Sequence, residues 1–308
     1  MLAPWQIHII LGLGLFAIGT VVGSFVNVCI YRIPWQKSVI WPGSHCPRCY
    51  GAIAAQDNIP IVSWIALRGE CRGCGGRIAA RYAIIEALVG LLFAGVYLVD
   101  VVYGPPIPWG ELPASIPIRL TYHLVFVALL VVATFIDYDL TIIPDEVTVP
   151  GMLFGVGVGA LAPMIRPDPN TSSSHWEGFL IGVVGLLVGG GLTQSVRIVG
   201  SLVLRREAMG FGDVTLMAMI GAFVGWQAAV LTFFIAPFFG LGHAVVKLVV
   251  WIGKRLSGRN TSSTDREIPF GPYLSMAALA LLLSWPYSWP HLWKPYFDIL
   301  QDLVRMLF

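Results

Sequence analysis

The sequence predicts an all-α polytopic membrane protein, with about eight transmembrane helices and a four-cysteine loop domain on the cytosolic side. Three observations carry this. Of 308 residues 56% are hydrophobic and only 12% charged, with mean hydropathy +0.77, whereas a soluble domain carries about 25% charged residues. Apolar stretches recur along the whole chain instead of gathering in one core segment. Basic residues concentrate in one alternate set of connecting loops, as expected where a bilayer separates two aqueous faces.

A span needs about 20 mostly apolar residues. Such runs fall at roughly 7–30, 83–103, 118–136, 147–165, 178–196, 213–227, 229–252 and 268–285. The first is read as a retained helix: Met1 to Ile10 holds no Lys or Arg for the basic region of a signal peptide. Polar connectors rich in Pro, Gly, Ser and charge separate the spans at 104–112, 166–176 and 253–267. This divides the chain into a first helix (1–30), a cysteine loop domain (31–82), a membrane core (83–285) and a C-terminal tail (286–308) along the outer interface. Trp5, Trp41, Trp64 and Trp289 read as interface anchors. No internal repeat is evident.

If the spans alternate, all but four of the 19 Lys and Arg residues (Arg119, Arg166, Lys294 and Arg305) lie on the side of the cysteine loop. The positive-inside bias makes that side cytosolic and places both termini outside.

Four of the five cysteines are paired as Cys46-x2-Cys49 and Cys71-x2-Cys74, and Cys29 stands alone in an apolar run. Two such pairs separated by a short loop can bring four thiolates onto one tetrahedral zinc ion. A reducing cytosol disfavours disulfides, and metal is then the means of folding a segment too small for its own core. Four protein ligands leave no open position for water, so the metal is structural. Between the pairs, Asn58-Ile59-Pro60 and Arg68-Gly69 read as turns.

Ionisable residues at membrane depth are functional candidates by default. Two groups qualify: Asp137 with Asp139 and Asp145, and Asp213 in Gly210-Phe211-Gly212-Asp213. By the alternation, Asp137 lies where the third span reaches the cytosolic side and Asp213 where the sixth leaves it, so the two carboxylates share one depth. Asp213 directly precedes an apolar run, and its chemistry leaves open whether it caps a helix or performs a reaction. Asp145, after Pro144, reads as a cap. Two carboxylates brought together cannot both ionise cheaply, so one retains a proton while the other deprotonates a water. The pair titrates as a unit.

These residues, taken in order, resemble the prepilin peptidases, or type IV leader peptidases, membrane aspartic proteases of bacteria. The resemblance runs from Gly23-Ser24-Phe25-Val26-Asn27 and Tyr31-Arg32-Ile33-Pro34, through the paired cysteine loop, Arg81-Tyr82 and Glu86, to Phe135-Ile136-Asp137, Met209-Gly210-Phe211-Gly212-Asp213 and Ile268-Pro269-Phe270-Gly271-Pro272. It implies that Asp137 and Asp213 are catalytic, that Gly210, Gly212, Glu86 and Asn27 support them, and that Cys46, Cys49, Cys71 and Cys74 form the cysteine loop of the bifunctional members. It further implies a bacterial inner-membrane enzyme that cleaves the basic leader of type IV prepilins or secretion pseudopilins, then methylates the new N-terminus with S-adenosylmethionine. Membrane lipid is the other partner, and nucleic acid is not one. The chain departs from the family at Ala208, where glycine is usual, at Thr215, where lysine is usual, and at Cys29. The Thr215 departure bears on methylation, and no glycine-rich dinucleotide motif marks a site for the methyl donor.

Two other readings use the same residues. A cation transporter would relay ions through Asp137, Asp139 and Asp213, but acidic residues are lacking in the middle of several spans. A non-catalytic assembly scaffold would use the aspartates only as caps.

Overall fold

A computed structural model describes residues 4–103, 115–165, 174–256 and 269–307. The connector 104–112, Arg166, Arg259, Arg266 and Ile268 lie outside the described residues. Nine α-helices are described: α1 (Pro4–Arg32), α2 (Val62–Ala66), α3 (Arg81–Tyr97), α4 (Ser115–Leu140), α5 (Asp145–Leu161), α6 (His175–Leu204), α7 (Phe211–Leu256), α8 (Gly271–Ser288) and α9 (Lys294–Leu307). Five stretches among the described residues are long and apolar enough to cross a membrane: Trp5–Trp35, Arg81–Val102, Ile116–Leu140, His175–Leu204 and Phe211–Lys247. The helices α5 and α8, of 17 and 18 residues, coincide with the other two expected spans. The chain forms two compact units, 1–136 and 137–308, and the boundary falls inside α4 between Ile136 and Asp137.

In the first unit α1 packs on α3 through small residues. A Cβ on Gly19 would lie 2.7 Å from the Gly90 Cα, and one on Gly23 would lie 2.7 Å from the Glu86 Cα. Membrane helices gain little from apolar burial against one another, so close backbone approach supplies their packing energy. Beyond α3 a π-helical turn, Leu98–Val102, turns Asp100 inward. Its carboxylate is buried and lies 2.8 Å from His123 Nδ1 of α4, while Arg119 donates to the Asp100 carbonyl at 2.6 Å. A buried carboxylate is tolerated only when partnered in this way, and the cluster ties the end of α3 to α4.

In the second unit the first half of α7 is buried on nearly all sides, with Leu216, Met217, Met219, Ile220 and Phe223 at or near zero exposure. An element apolar all round belongs in a core, and α6 meets it there at Gly185, whose Cβ position is occupied by the Gly221 carbonyl oxygen. The expected sixth and seventh spans form one element broken at Gly225, where φ 82° and ψ 173° interrupt the helix. Only glycine adopts that conformation at low cost. The Tyr273 hydroxyl pairs with His243 Nδ1, joining α8 to α7. Helical structure continues from α8 through a π turn, Trp289–Trp293, into α9, where Phe297 packs against Trp226 and Trp289.

Several expectations change. Trp289 is buried and stacked on Trp285 at 4.8 Å, and Trp64 donates its indole N–H to the Ile78 carbonyl at 3.1 Å. These two side chains are engaged in contacts within the chain, whereas Trp5 and Trp41 are exposed. Asp145 is the first residue of α5; Pro144 occupies the cap position and makes no side-chain cap bond. The Asp145 charge therefore acts on the helix dipole and not as a cap.

Candidate functional site

The cysteine loop is built from two copies of one small turn, an internal repeat that was not expected. Cys46-Pro-Arg-Cys49-Tyr50-Gly51 and Cys71-Arg-Gly-Cys74-Gly75-Gly76 share the pattern C-x-x-C-x-G. In the first, Cys46 N donates to the Gly51 carbonyl (3.0 Å) and Tyr50 N to the Cys46 carbonyl (2.9 Å). In the second, Cys71 N and Gly75 N make the equivalent bonds to Gly76 and Cys71, both at 2.8 Å. Tyr50 (φ 56°) and Gly75 (φ 64°) hold the same left-handed position. Each turn is closed by an antiparallel bridge, His45 with Ala52 and Glu70 with Arg77. Asn58-Ile59-Pro60 and Arg68-Gly69 are turns as expected: 55–58 forms a 3-10 turn, and Arg68 and Gly69 both have positive φ.

The two turns bring the ligand atoms of Cys46, Cys49, Cys71 and Cys74 within 4.8 Å of one another. Cys46 Sγ lies 3.9 Å from Cys74 Sγ. A tetrahedron of sulfurs about 2.3 Å from a central ion has edges of about 3.8 Å, so the donor set fits a four-sulfur metal site. The Cys49 and Arg48 backbone N–H groups aim at Cys46 and lower its thiol pKa to about 6. Cys74 receives the Gly76 N–H, which favours its thiolate, but bonds to the other sulfurs together with burial push it up to about 11. The Cys46 thiolate thus forms readily, while Cys74 keeps a proton that a divalent ion would displace. Around this cluster Arg72 grips Asp57 with Nε and Nη2 at 2.7–3.1 Å and holds the Asp57 carboxyl below the usual carboxylate range.

The same unit places the supporting residues Asn27 and Glu86. Asn27 donates to the Tyr82 carbonyl at 3.1 Å, linking α1 to the start of α3. Glu86 is buried on α3, and its Oε2 accepts the Ile61 N–H at 2.8 Å. Ile61 is a β-branched residue at φ 61° and ψ −52°, a conformation that persists only where surroundings impose it. Glu86 therefore anchors the cysteine loop to the helix that follows it.

The second unit brings Asp137 and Asp213 together. Asp137, in the last turn of α4, is 5% exposed, and Asp213, in the first turn of α7, is 7% exposed. The two lie within Coulombic reach of each other. Gly271, the first residue of α8, donates its backbone N–H to Asp137 Oδ2 at 2.9 Å. A Cβ there would lie 2.6 Å from that oxygen and 3.0 Å from Ile143 Cδ1. On the other side of Ile143, a Cβ on Gly212 would lie 2.8 Å from Ile143 Cβ. Ile143 therefore fills the gap between the starts of α7 and α8, and both helix N-termini present positive potential to the carboxylates.

Asp213 has the geometry of a helix cap. Its carboxylate turns back toward the Gly210 backbone, as a first-turn acid does in a capping box, yet it is buried beside a second acid. Thr215 donates its hydroxyl to the Gly212 carbonyl at 3.0 Å. Asp139 is half-buried and Asp145 exposed. Gly271 and Ile143 are the contributors that side-chain chemistry did not single out; the sequence signals at Gly271 were its place in the Ile268–Pro272 segment of the resemblance and its position directly before Pro272 at the start of an apolar run. Chemically, two buried carboxyl groups with one proton between them can take a proton from water and deliver another to a polarised carbonyl.

The Type IV leader peptidase family profile matches residues 124–245, and that of the Bacterial Peptidase A24 N-terminal domain matches residues 17–99. The prepilin leader peptidase/N-methyltransferase of Myxococcus xanthus is 37% identical over 274 residues, covering 89% of this chain and 71% of that protein. The protein of the same name from Aeromonas salmonicida is 33% identical over 297 residues, covering 87% of this chain and 89% of its own length. An Escherichia coli type 4 prepilin-like proteins leader peptide-processing enzyme is 32% identical over 282 residues, covering 86% and 90%. No solved structure matches the chain.

Proposed function

The chain belongs to the type IV leader peptidase family and is an integral membrane enzyme of the prepilin peptidase/N-methyltransferase type, and from that premise we propose that Asp137 and Asp213 cleave the leaders of type IV prepilins or pseudopilins. The observation that carries this reading is the meeting of two buried aspartates at the starts of α7 and α8.

The ionised carboxylate of the pair takes a proton from a water molecule, and the resulting hydroxide attacks the scissile carbonyl carbon. The protonated partner gives its proton to the carbonyl oxygen. Collapse of the tetrahedral intermediate breaks the C–N bond as the leaving nitrogen takes up the proton held by the first carboxyl and one hydroxyl proton of the intermediate returns to the second, giving a free amine, a carboxylic acid and the starting pair. Neither a metal nor a covalent intermediate is needed. Gly210 and Gly212 flank Asp213 and leave space for backbone approach, while Glu86 and Asn27 hold the first unit.

The four cysteines fit zinc by donor type and sulfur spacing, and a closed four-sulfur site supplies shape without hydrolytic chemistry. The reading places the cysteine loop and the aspartates on the cytosolic side of a bacterial inner membrane, where basic loops concentrate and a basic leader would rest. Methylation of the released N-terminus with S-adenosylmethionine is proposed on the names of the relatives alone. Thr215, at the position where the family usually has lysine, offers no cation to that donor and has its hydroxyl engaged by the Gly212 carbonyl.

The test is coexpression of a prepilin with Asp137→Asn or Asp213→Asn, each verified as folded after purification, with mass spectrometry of the mature N-terminus. Both variants are expected to leave the leader attached, and normal cleavage by both would rule out the dyad.

A further inference from the structure

The carboxylate of Asp213 is only as well placed as the segment that delivers it, and α6 grips that segment at several points. Arg205, directly after α6, has φ 53°, and the chain then runs back beside the helix before α7 begins. Arg197, two turns inside α6, reaches three alternate residues of the returning strand. Its Nε donates to the Met209 carbonyl at 3.1 Å, its Nη2 pairs with Glu207 Oε1 at 3.1 Å, and its guanidinium lies over the Phe211 ring at 5.7 Å. One turn further along, Ser201 Oγ accepts the Ala208 N–H at 3.1 Å. Gly200 lies flat beneath Ala208, with no space for a Cβ, which would sit 2.8 Å from the Ala208 Cβ. Gly212, directly before Asp213, is held close to Ile143, which leaves no room for a Cβ.

We propose that Arg197 is the positioning residue for Asp213, clamping the 207–211 segment so that the carboxylate starts α7 at the depth and angle that meet Asp137. This rests on the dyad reading above. The guanidinium suits the role because its planar, fixed fork can hold a carbonyl and a carboxylate while its face covers an aromatic ring. Its effect on Asp213 comes through the Met209 carbonyl and Phe211. The Glu207 contact contributes little, since Glu207 is 80% exposed at its side chain and exposed ion pairs are weak.

The experiment compares Arg197→Ala, Arg197→Lys, Glu207→Ala and Asp213→Asn in the purified full chain, measuring kcat and KM for leader cleavage of a prepilin. Arg197→Ala is expected to lower kcat about 10- to 100-fold at unchanged KM, the loss that follows a misplacement near 1 Å. Arg197→Lys restores part of that loss, and Glu207→Ala stays within about twofold of the parent. Parental kcat in Arg197→Ala, a rise in KM alone, or an equal loss in Glu207→Ala overturns the clamp. Should Arg197→Ala fail to purify folded, Ser201→Ala decides: lower kcat at constant KM supports the clamp, and parental kcat overturns it. Normal cleavage by Asp213→Asn sinks the dyad reading itself. An inactive Asp213→Asn beside a normal Arg197→Ala sinks only the clamp.

Discussion

Replacing Gly185 by alanine tests how tightly α6 and α7 must approach for the second unit to hold its shape. The new Cβ would overlap the Gly221 carbonyl oxygen, lie 2.8 Å from the Gly221 carbonyl carbon and lie 3.0 Å from the Gly225 Cα, against an ordinary contact of 3.4–4 Å. All three are backbone atoms of α7, so no side chain can turn aside, and the helices must part by roughly 1 Å. Overpacking of this kind costs about 1–3 kcal/mol, with rigid backbone neighbours placing it in the upper half of that range. Alanine returns about 1 kcal/mol of helix propensity. The net loss is about 1–2 kcal/mol, or a fall in melting temperature of about 2–8 °C for a unit of this size. Gly191→Ala is the control: it lies on the same helix with nothing within 4 Å of its Cβ position, so it gains propensity with no clash. The assay is thermal unfolding of detergent-purified protein followed by tryptophan fluorescence, with leader cleavage measured in parallel. A Gly185→Ala protein that melts as high as Gly191→Ala would refute the backbone-contact argument.

Gly271→Ala is expected to lower kcat at least about 100-fold in a protein that still folds, since its Cβ would displace the Asp137 carboxylate or Ile143; an unchanged kcat in the cleavage assay would show that Asp137 does not work from its described position. Chelation of the purified enzyme, or Cys46→Ser, is expected to expose the 31–80 segment to limited proteolysis and remove zinc from the elemental analysis before leader cleavage fails. A metal-free enzyme equally protease-resistant would contradict the structural role.

The parts of this chain that could be read in its sequence are those that are costly to place in a membrane. Apolar runs must reach the bilayer thickness, so eight helical segments could be counted once α7 is divided at its break. Asp137 and Asp213 stood out because buried carboxylates need a reason. The Asp100, His123 and Arg119 cluster carries the same signal at the opposite end of its spans, but Asp100 is separated from Arg119 and His123 by 19 and 23 residues, across a connector. The resemblance marked Gly212 and Gly271, but residue chemistry alone did not show how the carboxylates are positioned. Gly225 breaks α7, yet in sequence it is indistinguishable from Gly221, which packs, and from Gly242, which meets nothing. Gly271 acts through a backbone N–H and through the absence of a Cβ, and neither leaves a compositional trace. Ile143 looks like any apolar residue, though its neighbours are set by the starts of two helices. In a membrane core, reactive groups are scarce and so conspicuous, while the groups that aim them are glycines, amides and aliphatic side chains like hundreds of others. A substitution survey of such an enzyme should therefore give as much weight to the glycines at helix starts as to the carboxylates, because a single added methyl at Gly271 meets the Asp137 carboxylate and Ile143, and one at Gly212 meets Ile143.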